Sequence, residues 1–159
     1  MADELKISKT YTFDAAHQLE GHSGKCARLH GHTYQVTVWL KGTQLLWGSA
    51  HTMVLDYFDL DRAMKPLIEE LDHRFIVSGT ESALKAMLLG AQQDEDIYDP
   101  DWVVYLDVMR TTAEELAKWF ARQLLLKMPE NVIAYGVQVC ETPKTMAEFI
   151  QVMPQGEPL

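Results

Sequence analysis

Hydrophobic and polar residues alternate along two stretches near the N-terminus. Over Leu5–His17 (LKISKTYTFDAAH), Thr, Tyr, Ile and Phe accumulate with partial alternation, which predicts a β-strand. Over His30–Gly42 (HGHTYQVTVWLKG) the alternation is cleaner: Tyr34, Val36, Val38 and Leu40 share one face of a second strand. His30 and His32 lie on that same face. Between the two strands, QLEGHSGKCAR carries two glycines and reads as a loop. A short strand at Met53–Leu55 is expected in the connector that follows.

The apolar period then becomes helical. Leu60, Ala63, Met64, Leu67, Ile68 and Leu71 predict a helix over Asp59–His73, with Pro66 as a kink or a late start. Thr111–Met128 predicts the strongest helix in the chain. Thr111 or Thr112 caps it, Glu114 or Glu115 completes a capping box, and Pro129 ends it. NVIAYGVQVCET and TMAEFIQVM read as two more strands joined by a turn at Thr142–Lys144. The order strand, strand, helix, helix, strand, strand implies an α+β fold. Between the helices, TESALKAMLLG has helical character and QQDEDIYDPD reads as an acidic, exposed loop.

A length of 159 residues predicts one domain, 1–159, large enough for its own core. No apolar run approaches the ~20 residues of a membrane span. The N-terminal MADELKISKTYTF lacks a signal-peptide pattern, so a cytoplasmic location is expected. The two cysteines, Cys26 and Cys140, are too few for a disulfide scaffold, which agrees with a reducing compartment. The formal charge of −9 argues against nucleic acid as a partner. A small anion is still admissible if a local basic cluster meets it; Lys25, Arg28, Arg74 and Lys144 are candidates.

Cys26, His30 and His32 crowd into seven residues. Two histidines at i and i+2 on a strand project to one side and can converge on one metal. His17 supplies a third imidazole if the first two strands pair as an antiparallel hairpin, and three histidines with an open position suit catalytic zinc. On spacing alone, a polar strand start without metal is an equal reading, because His-x-His is a weak pattern. Cys26, between Lys25 and Arg28, is favoured as thiolate by neighbouring cations. Such a loop thiol is a ligand, a base, a nucleophile or an ordinary cysteine. At the end of the first predicted helix, Asp72 can orient the imidazole of His73. Glu141 follows an apolar strand segment and is either exposed or held inside to bind a cation or an amidine-like edge.

FDAAHQL, CARLHGHTY, VLDYFDL, LDHRF, TTAEELAKW and CETPKTMAEF occur in this order. Together they resemble the 6-pyruvoyl-tetrahydropterin synthase / 6-carboxy-tetrahydropterin synthase family, from Tyr11 to about Ile150. The resemblance implies the tunnelling fold: a four-stranded antiparallel sheet with two helices between strands 2 and 3. It implies that three subunits close a barrel and two trimers stack into a homohexamer, with sites at subunit interfaces. It implies Zn2+ held by His17, His30 and His32, Cys26 as catalytic base, and Asp72 with His73 as its assistants. Glu141 would anchor a pterin ring and Thr112 would contact substrate. The expected activity is a lyase acting on 7,8-dihydroneopterin triphosphate.

Within the family, the spacing Cys-x-x-x-His-Gly-His, met here by Cys26 and His30, is that of the 6-carboxy enzymes of queuosine biosynthesis. The 6-pyruvoyl enzymes usually insert two more residues. A 6-pyruvoyl synthase and a low-turnover pterin-binding assembly module are the alternatives. The chain departs from the family pattern at Ile76 and Val77, where Leu-Asn is usual, and at Arg110-Thr111-Thr112. An insertion at about 78–107 is also expected, with packed ends and an exposed acidic loop between them. It would carry no zinc ligand or base but roof the pocket.

Overall fold

The computed structural model of the chain describes residues 3–79 and 100–154. Two long strands open it, β1 (Glu4–His17) and β2 (His30–Thr43). They pair antiparallel over their whole length, with Phe13 opposite Tyr34, Ala15 opposite His32 and His17 opposite His30. Period-two alternation therefore puts Tyr11, Phe13, Ala15 and His17 on one buried face with Tyr34, Val36, Val38 and Leu40. Phe13 and Tyr34 stack at 4.9 Å between ring centres.

Helix α1 (Tyr57–Leu71) starts two residues earlier than the periodicity alone indicates, because Asp56 caps it by accepting the Phe58 N–H at 2.9 Å. Pro66 does not break the helix. It sits on the exposed side, and the carbonyl its missing N–H leaves free belongs to Arg62, also exposed. Met53–Leu55 is not a strand; the connector is closed instead by Leu45 bonding backbone to backbone with Thr52 and Met53. Helix α2 (Ala113–Leu125) is capped by Thr112. It buries Leu116, Ala117, Phe120, Ala121 and Leu124 against the sheet face.

The expected four-stranded antiparallel sheet is corrected to a mixed, six-stranded one. β3 (Arg74–Ser78) and β4 (Val103–Leu106) follow α1, and β5 (Val132–Thr142) and β6 (Thr145–Val152) follow α2. The sheet order is β4-β3-β1-β2-β5-β6. The four long strands pair antiparallel, while β3 joins β1 and β4 joins β3 in parallel. Ile76 and Val77, the departure from the family pattern, are fully buried β3 residues. β-Branched residues suit a strand covered on both faces, which is what a parallel addition creates. Val103, Val104 and Leu106, from the far end of the expected insertion, are buried too, as is Val108 just beyond it. The expected helix in TESALKAMLLG and nearly all of the acidic loop lie outside the described residues.

On the other side of the sheet, Gly136 stands opposite Trp39. A Cβ at Gly136 would meet the indole at 2.5 Å, so the ring lies flat over bare backbone. Its Nε1–H donates to Glu148 at 2.6 Å.

Candidate metal centre and its surroundings

The antiparallel register brings His17 and His30 to the last rung of the β1–β2 ladder, with His32 two residues on along the same face. The ligating atoms of all three lie within 4.8 Å of one another. His17 is 1 % exposed. Its Nδ1 bonds the Thr111 carbonyl at 2.8 Å, and His30 Nδ1 bonds the Arg28 carbonyl at 2.6 Å. A carbonyl only accepts, so both Nδ1 atoms carry the proton. Each neutral ring then presents a lone pair at Nε2, and these two nitrogens face each other at 3.1 Å.

Such an arrangement is repulsive unless a cation or proton lies between the rings. Burial first, then the neighbouring His30 and His32, lower the His17 pKa to about 4. Burial, then His30, lower that of His32. Protonation of His17 and His32 is therefore disfavoured, and the donor set fits a metal. Tetrahedral zinc with Zn–N of about 2.0–2.1 Å needs nitrogens roughly 3.3–3.4 Å apart. Around the cluster, Tyr34 lies edge-on to His17 and His32, with ring centres at 5.9 and 5.5 Å. Among the described residues, the Tyr34 and Thr111 hydroxyls are buried with no hydrogen-bond partner.

Cys26 sits in a 3-10 turn, Lys25–Ala27, within the loop that joins the two histidine-bearing strands. It is half-buried, a free thiol, and outside the three-histidine group. Two bonds fold the loop back: Leu19 N–H to the Cys26 carbonyl at 2.9 Å and Gln18 Nε2–H to the Ala27 carbonyl at 2.9 Å.

Asp72 and His73 occupy the turn from α1 into β3. His73 Nδ1 and Asp72 Oδ2 are 3.0 Å apart. His73 has φ of 58°, a left-handed conformation that costs a non-glycine residue energy. Asp14 holds it there, accepting the His73 N–H at 2.6 Å and donating its own N–H to Asp72 Oδ1 at 2.8 Å. The Asp14 N–H is also the main reason the Asp72 carboxyl lies below the ordinary aspartate value.

Two hollows meet at His32. One, of about 570 Å³, is lined by His32, His73, Arg74, Phe75 and Trp102. The other, of about 410 Å³, is lined by His32, Gln35, Cys140, Glu141 and Thr142. Burial and, second, the charge of Glu114 push the Glu141 carboxyl up, against the pull of His30 and the Ala113 N–H. Thr112 is the helix cap, its hydroxyl 3.5 Å from the Glu115 N–H. Of the candidate anion-binding residues, Arg74 lines the first hollow, whereas Lys25, Arg28 and Lys144 are exposed.

Sequence reasoning missed Asp14, Tyr34, Arg110, Thr111 and Trp102. Trp102 reaches the hollow only through the parallel β3–β4 pairing, for which no local pattern gives a signal. Tyr34 was visible as a core position but not as a wall of the histidine cluster.

Residues 6–151 match the family model described as 6-pyruvoyl tetrahydropterin synthase. The chain is 37 % identical over 149 residues to the 6-carboxy-5,6,7,8-tetrahydropterin synthase of Haemophilus influenzae, covering 91 % of this chain and 98 % of that protein. It is 36 % identical over 155 residues to a putative 6-carboxy-5,6,7,8-tetrahydropterin synthase of Pyrococcus abyssi, covering 95 % and 94 %. The crystal structure of the Plasmodium vivax 6-pyruvoyl tetrahydropterin synthase superposes with a TM-score of 0.72, covering 95 % and 99 %. At 20 % identity that likeness speaks for the fold alone.

Proposed function

The chain belongs to the 6-pyruvoyl tetrahydropterin synthase family, and on that premise we propose that it is a zinc-dependent 6-carboxy-5,6,7,8-tetrahydropterin synthase. It would convert 7,8-dihydroneopterin triphosphate and water to 6-carboxy-tetrahydropterin, acetaldehyde and triphosphate, on the route to 7-deazapurines such as queuosine. The observation that carries the reading is the His17–His30 pair, whose Nε2 atoms face each other at 3.1 Å with His32 on the same face. The choice of the 6-carboxy product rests on the names of the relatives at 36–37 % identity and on the Cys26–His30 spacing.

His17, His30 and His32 would hold the zinc. Bound there, zinc supplies Lewis-acid stabilisation of negative charge on a substrate oxygen. Glu141 accepts from the 2-amino and N3–H edge of the pterin and so fixes the ring in the smaller hollow, with Thr112 beside it. Cys26 as thiolate removes a proton from the substrate side chain. Asp72 and His73, of which His73 lines the larger hollow, carry protons to and from the departing fragments. Arg74 is the cation best placed to meet the triphosphate.

Among the described residues, β4 and β6 are the terminal strands of the sheet. Met146, Ile150 and Val152 leave an exposed apolar row on β6. These features support closure into a ring of subunits, and a homohexamer of two stacked trimers is the assembly proposed. No described helix is long and apolar enough to cross a membrane. Two free thiols suit the cytoplasm.

Incubation of the zinc-loaded protein with dihydroneopterin triphosphate tests the proposal. Triphosphate release with a 6-carboxy product mass is expected. A pyruvoyl product would move the chain to the other branch, and binding without release would make it a pterin-holding module.

A further inference from the structure

The stretch Arg110–Ala113 touches three parts of the site in four residues. Thr111 holds the Nδ1 of His17 through its carbonyl at 2.8 Å. The Ala113 N–H pulls against the upward shift of the Glu141 carboxyl. Arg110 reaches the other way, its Nη2 donating to the Glu20 carbonyl at 2.8 Å in a part-buried contact. Glu20 lies in the loop that carries Cys26.

The remaining bonds of that loop are local to it. Leu19 N–H to Cys26, Gln18 to Ala27, His22 N–H to Leu19 and the two bonds of the 3-10 turn all begin and end within residues 18–28. His30 holds the Arg28 carbonyl from the loop's own exit strand. Among the described residues, Arg110 is the side chain that fastens the loop to a separate element. Its own backbone is well anchored, since Thr111 is fully buried and α2 begins just beyond.

We infer that Arg110 is a positioning residue, a strut from the start of α2 that fixes the loop carrying Cys26. The inference rests on the proposed role of Cys26, but it is a statement about the loop and is readable without turnover. A guanidinium on a carbonyl is a charge-assisted bond with fixed direction. Its removal leaves the loop closed only by bonds that open together. The metal ligands keep their own partners: Thr111 bonds His17 through the main chain, which an Arg110 substitution does not remove.

The experiment compares wild type, Arg110→Ala and Arg110→Lys, all zinc-loaded. Iodoacetamide labelling of Cys26 is followed by peptide mass, with Cys140 as internal reference. Amide exchange is followed at Leu19, whose N–H reports the closed loop. Arg110→Ala is expected to label Cys26 and exchange Leu19 about tenfold faster, with zinc content and Cys140 labelling unchanged. Arg110→Lys, which keeps one charged donor, is expected to recover part of the protection. In turnover, kcat should fall while KM holds.

Equal labelling and exchange in Arg110→Ala and wild type would overturn the inference. Loss of zinc from Arg110→Ala would overturn it too, since the residue would then act on the metal site through Thr111. Should wild type show no triphosphate release, the proposed reaction fails, while labelling and exchange still decide the strut.

Discussion

His17 and His30 face each other through Nε2 at 3.1 Å, and each is pinned on its far side by a backbone carbonyl. Neither ring can turn away without losing that bond. The pair is thus preorganised as a two-nitrogen clamp, and His32 closes it from the same face.

His30→Ala or His32→Ala should empty the site, because two imidazoles make a weak one. Elemental analysis after dialysis is the check. Full zinc in both variants would refute the ligand assignment, and His17→Ala examines the contribution of β1 in the same way.

Cys26→Ala should retain zinc and lower kcat by at least about 10²-fold, the lower range for losing a positioned base. A thiol outside the histidine group is not expected to hold the metal. Zinc lost along with the thiol would make Cys26 a ligand.

Glu141→Gln should keep the fold and bind pterin at least tenfold more weakly, since a hydrogen bond to a charged group contributes roughly 1.5–3 kcal/mol. Burial, then the charge of Glu114, hold the Glu141 carboxyl above the ordinary glutamate value. Protonation removes its acceptor charge, so affinity should fall with falling pH at a higher pH than for an exposed glutamate. Isothermal titration with a pterin across pH 4–7 reads this, roughly the range above an unperturbed Glu of about 4.3; a flat profile for wild type would contradict it.

Asp61 is bonded by Lys9 at 2.6 Å, Tyr11 at 3.0 Å and Lys65 at 3.1 Å. The Lys9 bond foremost lowers its carboxyl to about 2, against 3.8 unperturbed. A depressed carboxyl stabilises the fold above the unfolded value and loses that contribution as pH falls through the folded one. Acid unfolding should therefore steepen between pH 3.8 and about 2, and Asp61→Asn should flatten that segment in circular-dichroism titrations. An unchanged slope would show that the cluster carries no pH-dependent stability.

Gly136→Ala should destabilise by about 1–3 kcal/mol, the usual range for overpacking, because the added Cβ meets Trp39 at 2.5 Å. Thermal unfolding measures it. A double variant with Trp39→Leu should regain part of the loss.

The histidine cluster was legible because its parts obey local rules. His30 and His32 follow from strand period, and His17 follows once two adjacent strands are taken as a hairpin. Thr112 follows from capping chemistry. The long strands and both helices are written in their periodicities, to within a turn. The parallel pair β3–β4 was not legible: RFIVS and VVYL are short apolar runs, and nothing local states that they join each other and β1. The same long-range pairing hid Trp102. Asp14 acts through its own main-chain N–H and carbonyl, and Arg110 through the main-chain carbonyl of Glu20, and a main-chain group leaves no pattern in the sequence.

The last rung of the β1–β2 ladder is also the two ends of the loop 18–29. The proposed metal, shared by His17 and His30, would therefore be an entropic staple on that loop as well as a centre for chemistry. Closing the loop in the unfolded chain carries a cost that grows with its length, and a ligand bound only by the folded form raises stability with its concentration. Metal loading should raise the melting temperature and quiet the segment around Cys26 in one event. On the proposed zinc-dependent reading, a chain that has not yet acquired metal would be both inactive and the form most open to proteolysis, so that metal supply would set how much protein persists as well as how fast it works.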